Sequence, residues 1–467
     1  MILVTYDLRN SGSDSLYQYL CKCIKNDILQ GVLKPGERLP SKRAFASHQG
    51  VSVITVENAY AQLISEGYIY SLPKRGYYVT DFSSMIAKKK PAFTEEMIPL
   101  TGGQSGWLAD FSSNQTESDL FPFTIWSKVI REILSDSRTQ LMTNSPCGGS
   151  FALRESIAGY LRDFRNMSVK PEQIIIGAGT EYLYGLLIQL LGNDMVYGVE
   201  NPGYKKLEQI YSSYQVNCQW IDMDEDGISV PQLEQKNVNI VHITPSHQFP
   251  TGIVMPISRR YELLGWAAKQ DDRYIIEDDY DSELRLSGRP IPPLQSIDMS
   301  DKVIYMNTFT KTLCSTVRIS YMVLPPNLAK QYYQNLSFYS CTVSNFEQYT
   351  MARFIEEGKF ELHVNRLRSY YRKKRDMLLD AIANSKLGEL SEVSGTDAGL
   401  HFLLTIHTKL PEHTVLERAR AKSIKLLPLS DYYKGESHVH NVYVMNYSSI
   451  DMNHADEIAR LLASVVV

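Results

Sequence analysis

The chain predicts an α/β fold with a small helical module ahead of it, and three observations carry that prediction. From Trp107 onward, short apolar runs of strand character alternate with segments of helical spacing, the pattern of a mainly parallel sheet with crossover helices. Before residue 80 the pattern is instead three helical stripes followed by two short strand signals. Between the two, Lys88-Lys-Lys-Pro91, Thr94-Glu-Glu96 and Gly102-Gly-Gln-Ser-Gly106 interrupt any regular period and read as an extended, solvated linker. A length of 467 residues suits more than one core, so the expected organisation is a module over residues 1–80, a linker over 81–106 and a domain with large and small subdomains over 107–467.

Composition narrows the class. Hydrophobic residues make up 43% and charged residues 21% of the chain, and no stretch approaches the roughly 18 apolar residues of a membrane helix. The start lacks a basic n-region and a long apolar core, so a cytoplasmic location without a membrane partner is expected. Six scattered cysteines without a C-x-x-C pair suit reduced thiols rather than disulfides or a zinc site. Residues 1–80 carry nine Lys and Arg against six Asp and Glu, whereas the whole chain is at −4. The basic end is therefore the candidate for nucleic acid, with a solvated mixed surface as the alternative.

The first helix is predicted from Leu16, Tyr19, Leu20, Cys23, Ile24 and Ile28 on one face, ended by Gly31. After a turn at Pro35-Gly36, Ser41 is placed to cap a second helix with Phe45 and Ala46 inward, and His48-Gln-Gly50 breaks it. Ser52 caps a third, whose buried stripe is Val56, Ala59, Tyr60, Leu63 and Ile64 up to Gly67. Tyr68-Ile-Tyr70 and Tyr77-Tyr-Val79, joined by Pro73-Lys-Arg-Gly76, complete a winged helix-turn-helix, a fold whose capped helix enters the DNA major groove while flanking cations meet phosphates.

Pro35-Gly36, Leu39-Pro-Ser41, Val51-Ser52, Thr55-Val56, Tyr60, Leu63, Glu66-Gly67 and the basic wing Lys74-Arg-Gly76 closely resemble the GntR family pattern. Arg43, Ser52, Thr55 and Arg75 are the candidate DNA contacts, with Ser41 and Lys42 beside the backbone; the competing reading of each is a helix cap or a solvated cation. Val53 stands where the family usually has arginine, so base readout is expected to differ, with Ile54, Glu57 and Asn58 as the other variable positions.

In the larger domain, the apolar strand Glu172-Gln-Ile-Ile-Ile176 runs into Gly177-Ala-Gly179-Thr180-Glu181 and a leucine-rich helix, a turn suited to cradling a phosphate. Strands at 238–243 and 273–276 follow, the second entering Glu277-Asp-Asp-Tyr-Asp281. That acidic cluster can pair with a pyridine nitrogen, bind a metal through Asp278, Asp279 and Asp281, or form a solvated loop; metal is the weakest of these, for want of calcium-loop spacing. In Tyr305-Met-Asn-Thr308-Phe-Thr310-Lys311, followed by Arg318, a lysine past a strand has hydroxyls and a guanidinium nearby. This arrangement suits pyridoxal 5'-phosphate, the amine forming a Schiff base and the threonines and arginine meeting the phosphate, although such lysines also simply project into water.

Together with Ser118-Asp-Leu-Phe-Pro122, Pro146-x-Gly148, Glu200-Asn-Pro-Gly-Tyr204 and Thr244-Pro-Ser-His-Gln-Phe-Pro-Thr-Gly252, these segments resemble fold-type I aminotransferases, and fused to a GntR-like head they resemble MocR regulators. The resemblance implies Lys311 as Schiff-base lysine, Asp278 as partner of the pyridine nitrogen, Tyr280 of the phenolic oxygen, Tyr204 as the stacking aromatic, and Arg318, Thr308, Thr310, Gly179 and Thr180 at the phosphate. It also implies a head-to-tail, domain-swapped homodimer that binds an operator and senses an amine or the cofactor itself, with control of vitamin B6 synthesis among the possibilities in relatives. Two departures bear on turnover: Phe249 replaces an asparagine common near the phenolic oxygen, and the strand-like stretch 441–447 lacks the arginine that grips a substrate carboxylate, Lys205 and Lys206 being poorer substitutes. A working aminotransferase with an accessory head is the alternative function, and a scaffold body that never holds the cofactor is a third.

Overall fold

The computed structural model describes residues 5–8, 11, 12, 14–82, 106–113, 117–288 and 291–466, in two compact units, residues 1–104 and 105–467. Nearly all of the linker expected at 81–106 lies outside the described residues.

The first unit contains α1 (Leu16–Leu29), β1 (Arg38–Leu39), α2 (Lys42–Gln49), α3 (Val53–Ser65), β2 (Ile69–Leu72) and β3 (Gly76–Val79). Ser41 and Ser52 cap α2 and α3, their hydroxyls accepting from the backbone of Ala44 at 3.3 Å and Thr55 at 3.1 Å. Gly50 ends α2 in the left-handed region at φ +66°, which a β-carbon disfavours. Leu20, Cys21, Ile24 and Ile28 of α1 pack with Phe45, Val56, Tyr60, Leu63, Ile69 and Val79. Two expected core residues are corrected: Leu16 is 44% and Ile64 38% exposed. Cys21 fills the core instead, because the inward face of α1 centres on the 20, 21, 24 and 28 positions rather than on 16, 19 and 23. A further difference is β1, which adds a third strand by pairing Arg38 with Tyr78 and Leu39 with Tyr77.

The second unit begins with β4 (Ala109–Asp110), α4 (Phe123–Asp136), α5 (Arg138–Met142) and α6 (Phe151–Arg165). Its centre runs β5 (Ile174–Gly177), α7 (Thr180–Leu191), β6 (Val196–Asn201), α8 (Lys205–Ser213), β7 (Asn217–Asp224), β8 (Gly227–Ile228), α9 (Val230–Gln235), β9 (Ile240–Ile243), α10 (Ile257–Ala268), β10 (Tyr274–Asp278), β11 (Val303–Thr308) and β12 (Ser320–Val323). The eight strands form one sheet in the order β5-β12-β11-β10-β9-β6-β7-β8. The five from β11 to β7 are parallel, while β12 runs against both its neighbours and β8 against β7. Every residue of β5, β9, β11 and β12 is buried, which explains their mostly apolar character; His242, Asn307, Thr308 and Ser320 are the polar exceptions. Alternate residues reach opposite layers: Ile175 packs with α7 and α8, whereas Ile174 and Ile176 pack with α6.

The chain continues through α11 (Pro326–Asn335), α12 (Asn345–Glu356) and the 25-residue α13 (Lys359–Ala383) into a smaller layer. There β13 (Ser391–Ser394), β14 (His401–Ile406) and β16 (Val442–Asn446) make an antiparallel sheet, accompanied by α14 (Lys386–Glu389), α15 (Glu412–Ala421), β15 (Ile424–Lys425) and α16 (Ala455–Val466). Ala109 of β4 pairs with Ile424 of β15, so the start of this unit closes against its end. Among the described residues, no helix is long and apolar enough to cross a membrane.

Candidate cofactor cleft and DNA-reading helix

In an open α/β sheet, ligands gather beyond the carboxyl ends of parallel strands. Asp278 is the last residue of β10, Thr308 the last of β11, and Lys311 follows three residues later. Burial pushes the Lys311 amine down to about 8, partly offset by the Asp281 carboxylate. Among the described residues the amine has no hydrogen-bond partner, and its proton is held more loosely than a surface lysine's, so it is more readily freed as a nucleophile.

One Asp278 oxygen, Oδ2, accepts from the Tyr184 hydroxyl at 2.5 Å and lies 3.5 Å from His242 Nε2; His242 Nδ1 is 2.7 Å from the Tyr211 hydroxyl. The other, Oδ1, is buried and has no partner among the described residues, a costly state that an N–H donor arriving in the cleft would relieve.

The phosphate-type cradle is built from the turn between β5 and α7. Gly179 is the N-cap of α7 at φ +94°, and a β-carbon there would lie 2.3 Å from Arg318 Nη2. The positive φ and the close guanidinium both favour glycine here, so Arg318 lies against the turn that opens the helix. Thr180 opens the helix, the Thr308 and Thr310 hydroxyls are 2.7 Å apart, and Ser320 on the adjoining β12 donates to Thr308 at 2.8 Å. An anion cradle, a free lysine amine and an unsatisfied carboxylate oxygen at the carboxyl ends of the sheet's strands fit the donors and acceptors of pyridoxal phosphate.

Tyr204, at the start of α8, is 46% exposed and stands perpendicular to Phe249 at 6.0 Å. The Tyr280 hydroxyl donates to the His247 carbonyl at 3.2 Å, and His247 Nδ1 is 2.8 Å from Asp281 Oδ2. His401 on β14 lies beside His247, ring centres 4.9 Å apart, and its Nε2 is 3.1 Å from the Pro250 carbonyl. Burial, then the neighbouring His247 and Lys311, holds His401 down to about 3, so it is neutral and donates to that carbonyl.

The acidic cluster does not converge as a metal set would. Asp278 turns to Tyr184, Asp281 to His247, and Asp279 to Tyr305 at 2.8 Å and to the buried Arg165. Lys206 is held by Glu181, whose other oxygen lies 3.9 Å from Arg318 Nη2, and the Arg375 guanidinium donates to the Thr396 carbonyl at 2.8 Å and pairs with Asp376. Sequence reading named Lys311, Asp278, Tyr280, Tyr204, Arg318, Gly179, Thr180, Thr308 and Thr310, weighed Asp281 only as a metal ligand, and missed Tyr184, His242, His247, Ser320 and His401. Tyr184 carried a signal, since it lies one helical turn past Thr180. His401 carried none: it comes from the separate small sheet.

In the first unit, Ser41 and Ser52 are spent as caps, and the Ser52 hydroxyl is 2.8 Å from that of Thr55. Lys42 Nζ pairs with Glu57 at 2.6 Å and lies over the Tyr77 ring. Arg43 at the start of α2 and Arg75 in the wing are exposed.

Fold and site thus define a DNA-binding head joined to a body of the pyridoxal-phosphate aminotransferase fold. Residues 16–79 match the family of bacterial regulatory proteins called gntR. The HTH-type transcriptional regulator YdeL of Bacillus subtilis is 38% identical over 419 residues, covering 90% of each chain. The probable rhizopine catabolism regulatory protein MocR of Rhizobium meliloti is 28% identical, covering 93% of this chain and 90% of that one. A crystal structure of Pyrococcus horikoshii kynurenine aminotransferase, in complex with PMP, superposes with a TM-score of 0.67 at 25% identity, covering 78% of this chain and 91% of the other. The chain belongs to the MocR-type HTH transcriptional regulators, a winged-helix head of the GntR kind fused to an aminotransferase-like body.

Proposed function

We propose that this regulator holds pyridoxal 5'-phosphate through Lys311 and adjusts its grip on operator DNA according to whether the cofactor, or an amine that reacts with it, is present. The observation that carries this reading is the conjunction of the unpartnered Lys311 amine, the orphaned Asp278 Oδ1 and the Gly179–Arg318 cradle. When bound, the cofactor supplies an electrophilic aldehyde and an electron-withdrawing ring.

The chain's own residues do the rest. Arg318, the start of α7, Thr308 and Thr310 neutralise and orient the phosphate. Asp278, braced by Tyr184, offers Oδ1 to the ring N–H. Tyr204 and Phe249 wall the cleft with aromatic faces, and Tyr280 sits beside His247 to meet the phenolic side. Lys311 would supply the amine that holds the aldehyde, in competition with any amine that enters the cleft. Cytoplasmic localisation and assembly as a homodimer accompany the reading, since two heads suit two operator half-sites.

The test is visible absorption of the wild type and of Lys311→Ala with added pyridoxal phosphate, alongside DNA binding by each. A long-wavelength band in the wild type that the variant lacks, with operator affinity responding to cofactor only in the wild type, is expected. Absence of the band in the wild type would leave the body as a scaffold. A band with rapid turnover of an amino acid and a keto acid, and DNA binding indifferent to both, would mark an aminotransferase instead.

A further inference from the structure

The outward face of α3 is unusual for a helix that reads DNA. Val56, Ala59, Tyr60 and Leu63 face the core, leaving Ile54, Glu57, Asn58 and Ala61 along the opposite stripe at i, i+3, i+4 and i+7, with Val53 at the helix start. Ile54 is 68% and Val53 41% exposed. The polar groups around them are already engaged: the Ser52 hydroxyl caps the Thr55 N–H and bonds the Thr55 hydroxyl, and the Glu57 carboxylate is tied to Lys42. Along this stripe the helix presents two β-branched hydrocarbons in its first turn, then the Asn58 amide and the Ala61 methyl, beside the half-exposed Glu57 carboxylate that Lys42 neutralises.

Isolated exposed hydrophobics are ordinary on protein surfaces. Here the pair occupies the N-terminal turn, where a helix-turn-helix touches base edges, within a segment matching the gntR family. The Lys42–Glu57 pair joins the start of α2, where Arg43 is exposed, to this stripe, while Lys74 and Arg75 form an exposed basic wing. Such cations suit phosphates on either side of a groove. The occupant these charges select is duplex DNA, and the apolar group that the major groove offers is the C5-methyl of thymine.

We infer that Val53 and Ile54 read thymine methyl groups, making this regulator specific for a thymine-containing half-site rather than one fixed by arginine–guanine pairing. The inference rests on the DNA-binding role of the head and deepens it. Asn58, four residues beyond Ile54 on the same face, is placed to take an adjacent adenine edge.

The test begins with selection of binding sites from a random duplex pool by the full-length protein. In the selected site each thymine is then replaced by deoxyuridine, which removes the methyl and leaves base pairing and backbone unchanged. At the positions facing α3, affinity should fall about fourfold per methyl, the equivalent of one buried CH₂ group, with the salt dependence unaltered. Ile54→Ser, whose exposed site leaves the core untouched and whose fold is checked by circular dichroism, should lose the sensitivity at the thymine that Ile54 faces. Val53→Arg should shift selection toward guanine. Deoxyuridine duplexes bound as tightly as their thymine counterparts, or an Ile54→Ser protein retaining full sensitivity, would overturn the inference while leaving DNA binding intact. Failure to select any site would instead overturn the DNA-binding role itself, and the inference with it.

Discussion

Lys311 shows how one residue's surroundings set its chemistry. Its folded value, about 8, lies below the ordinary 10.5 because burial disfavours the charged amine. Between those limits the unfolded chain holds a proton that the folded chain has released, so folding stability of cofactor-free protein should rise with pH from about 8 toward 10.5. In the same protein, labelling by an amine-directed reagent should reach half its maximal rate near pH 8, whereas exposed lysines should require more alkaline conditions. Peptide mass analysis across a pH series checks both position and midpoint; a Lys311 profile matching that of surface lysines would contradict the burial argument. The lysine was legible because strand, threonines and arginine are contiguous in sequence. His401 and His247 were not, since their proximity depends on β14 reaching the edge of the other sheet.

Helices and strands were legible in proportion to how much of their pattern is fixed locally. The caps of α2 and α3 followed from serine chemistry, and the buried strands β5, β9 and β10 from their isoleucine- and valine-rich stretches. The inward face of α1 was displaced in the reading because apolar residues surround more than one side of that helix, and packing against α3 chose among them. Two-residue strands such as β1, β4 and β15 have no period to read; their pairing is a tertiary outcome. The α3 cap carries a direct consequence. Ser52→Ala removes the oxygen that accepts from the Thr55 N–H, and should destabilise the first unit by about 1 kcal/mol. Thermal or denaturant unfolding followed by a probe in that unit should show the loss, while the aminotransferase-like unit unfolds unchanged. A loss confined to DNA affinity, with unfolding unaltered, would show the hydroxyl serving DNA rather than the helix.

For the whole molecule, regulation requires that two separate sites share free energy. The body has an unsatisfied carboxylate oxygen and a free amine, so filling the cleft alters the energetics of β10, α7 and the segment after β11 together. Whatever arrangement the filled cleft favours must be the one that binds operator differently, because a ligand shifts an equilibrium only by its differential affinity for the two states. Linkage then makes the coupling reciprocal: the factor by which pyridoxal phosphate changes operator affinity must equal the factor by which operator changes pyridoxal phosphate affinity. A coupling of about 1–3 kcal/mol, typical of allosteric proteins, corresponds to roughly 5- to 150-fold in either titration. The measurement is a four-sided cycle at one salt concentration: DNA binding with and without cofactor, and cofactor binding by absorbance with and without DNA. Both ratios should agree and depart from one, and both should collapse to one when Gly179→Ala drives a methyl against Arg318 and disables the cradle. A cycle that closes at unity in the wild type would mean that cofactor and DNA ignore each other, and the body would then act on transcription only by holding the heads.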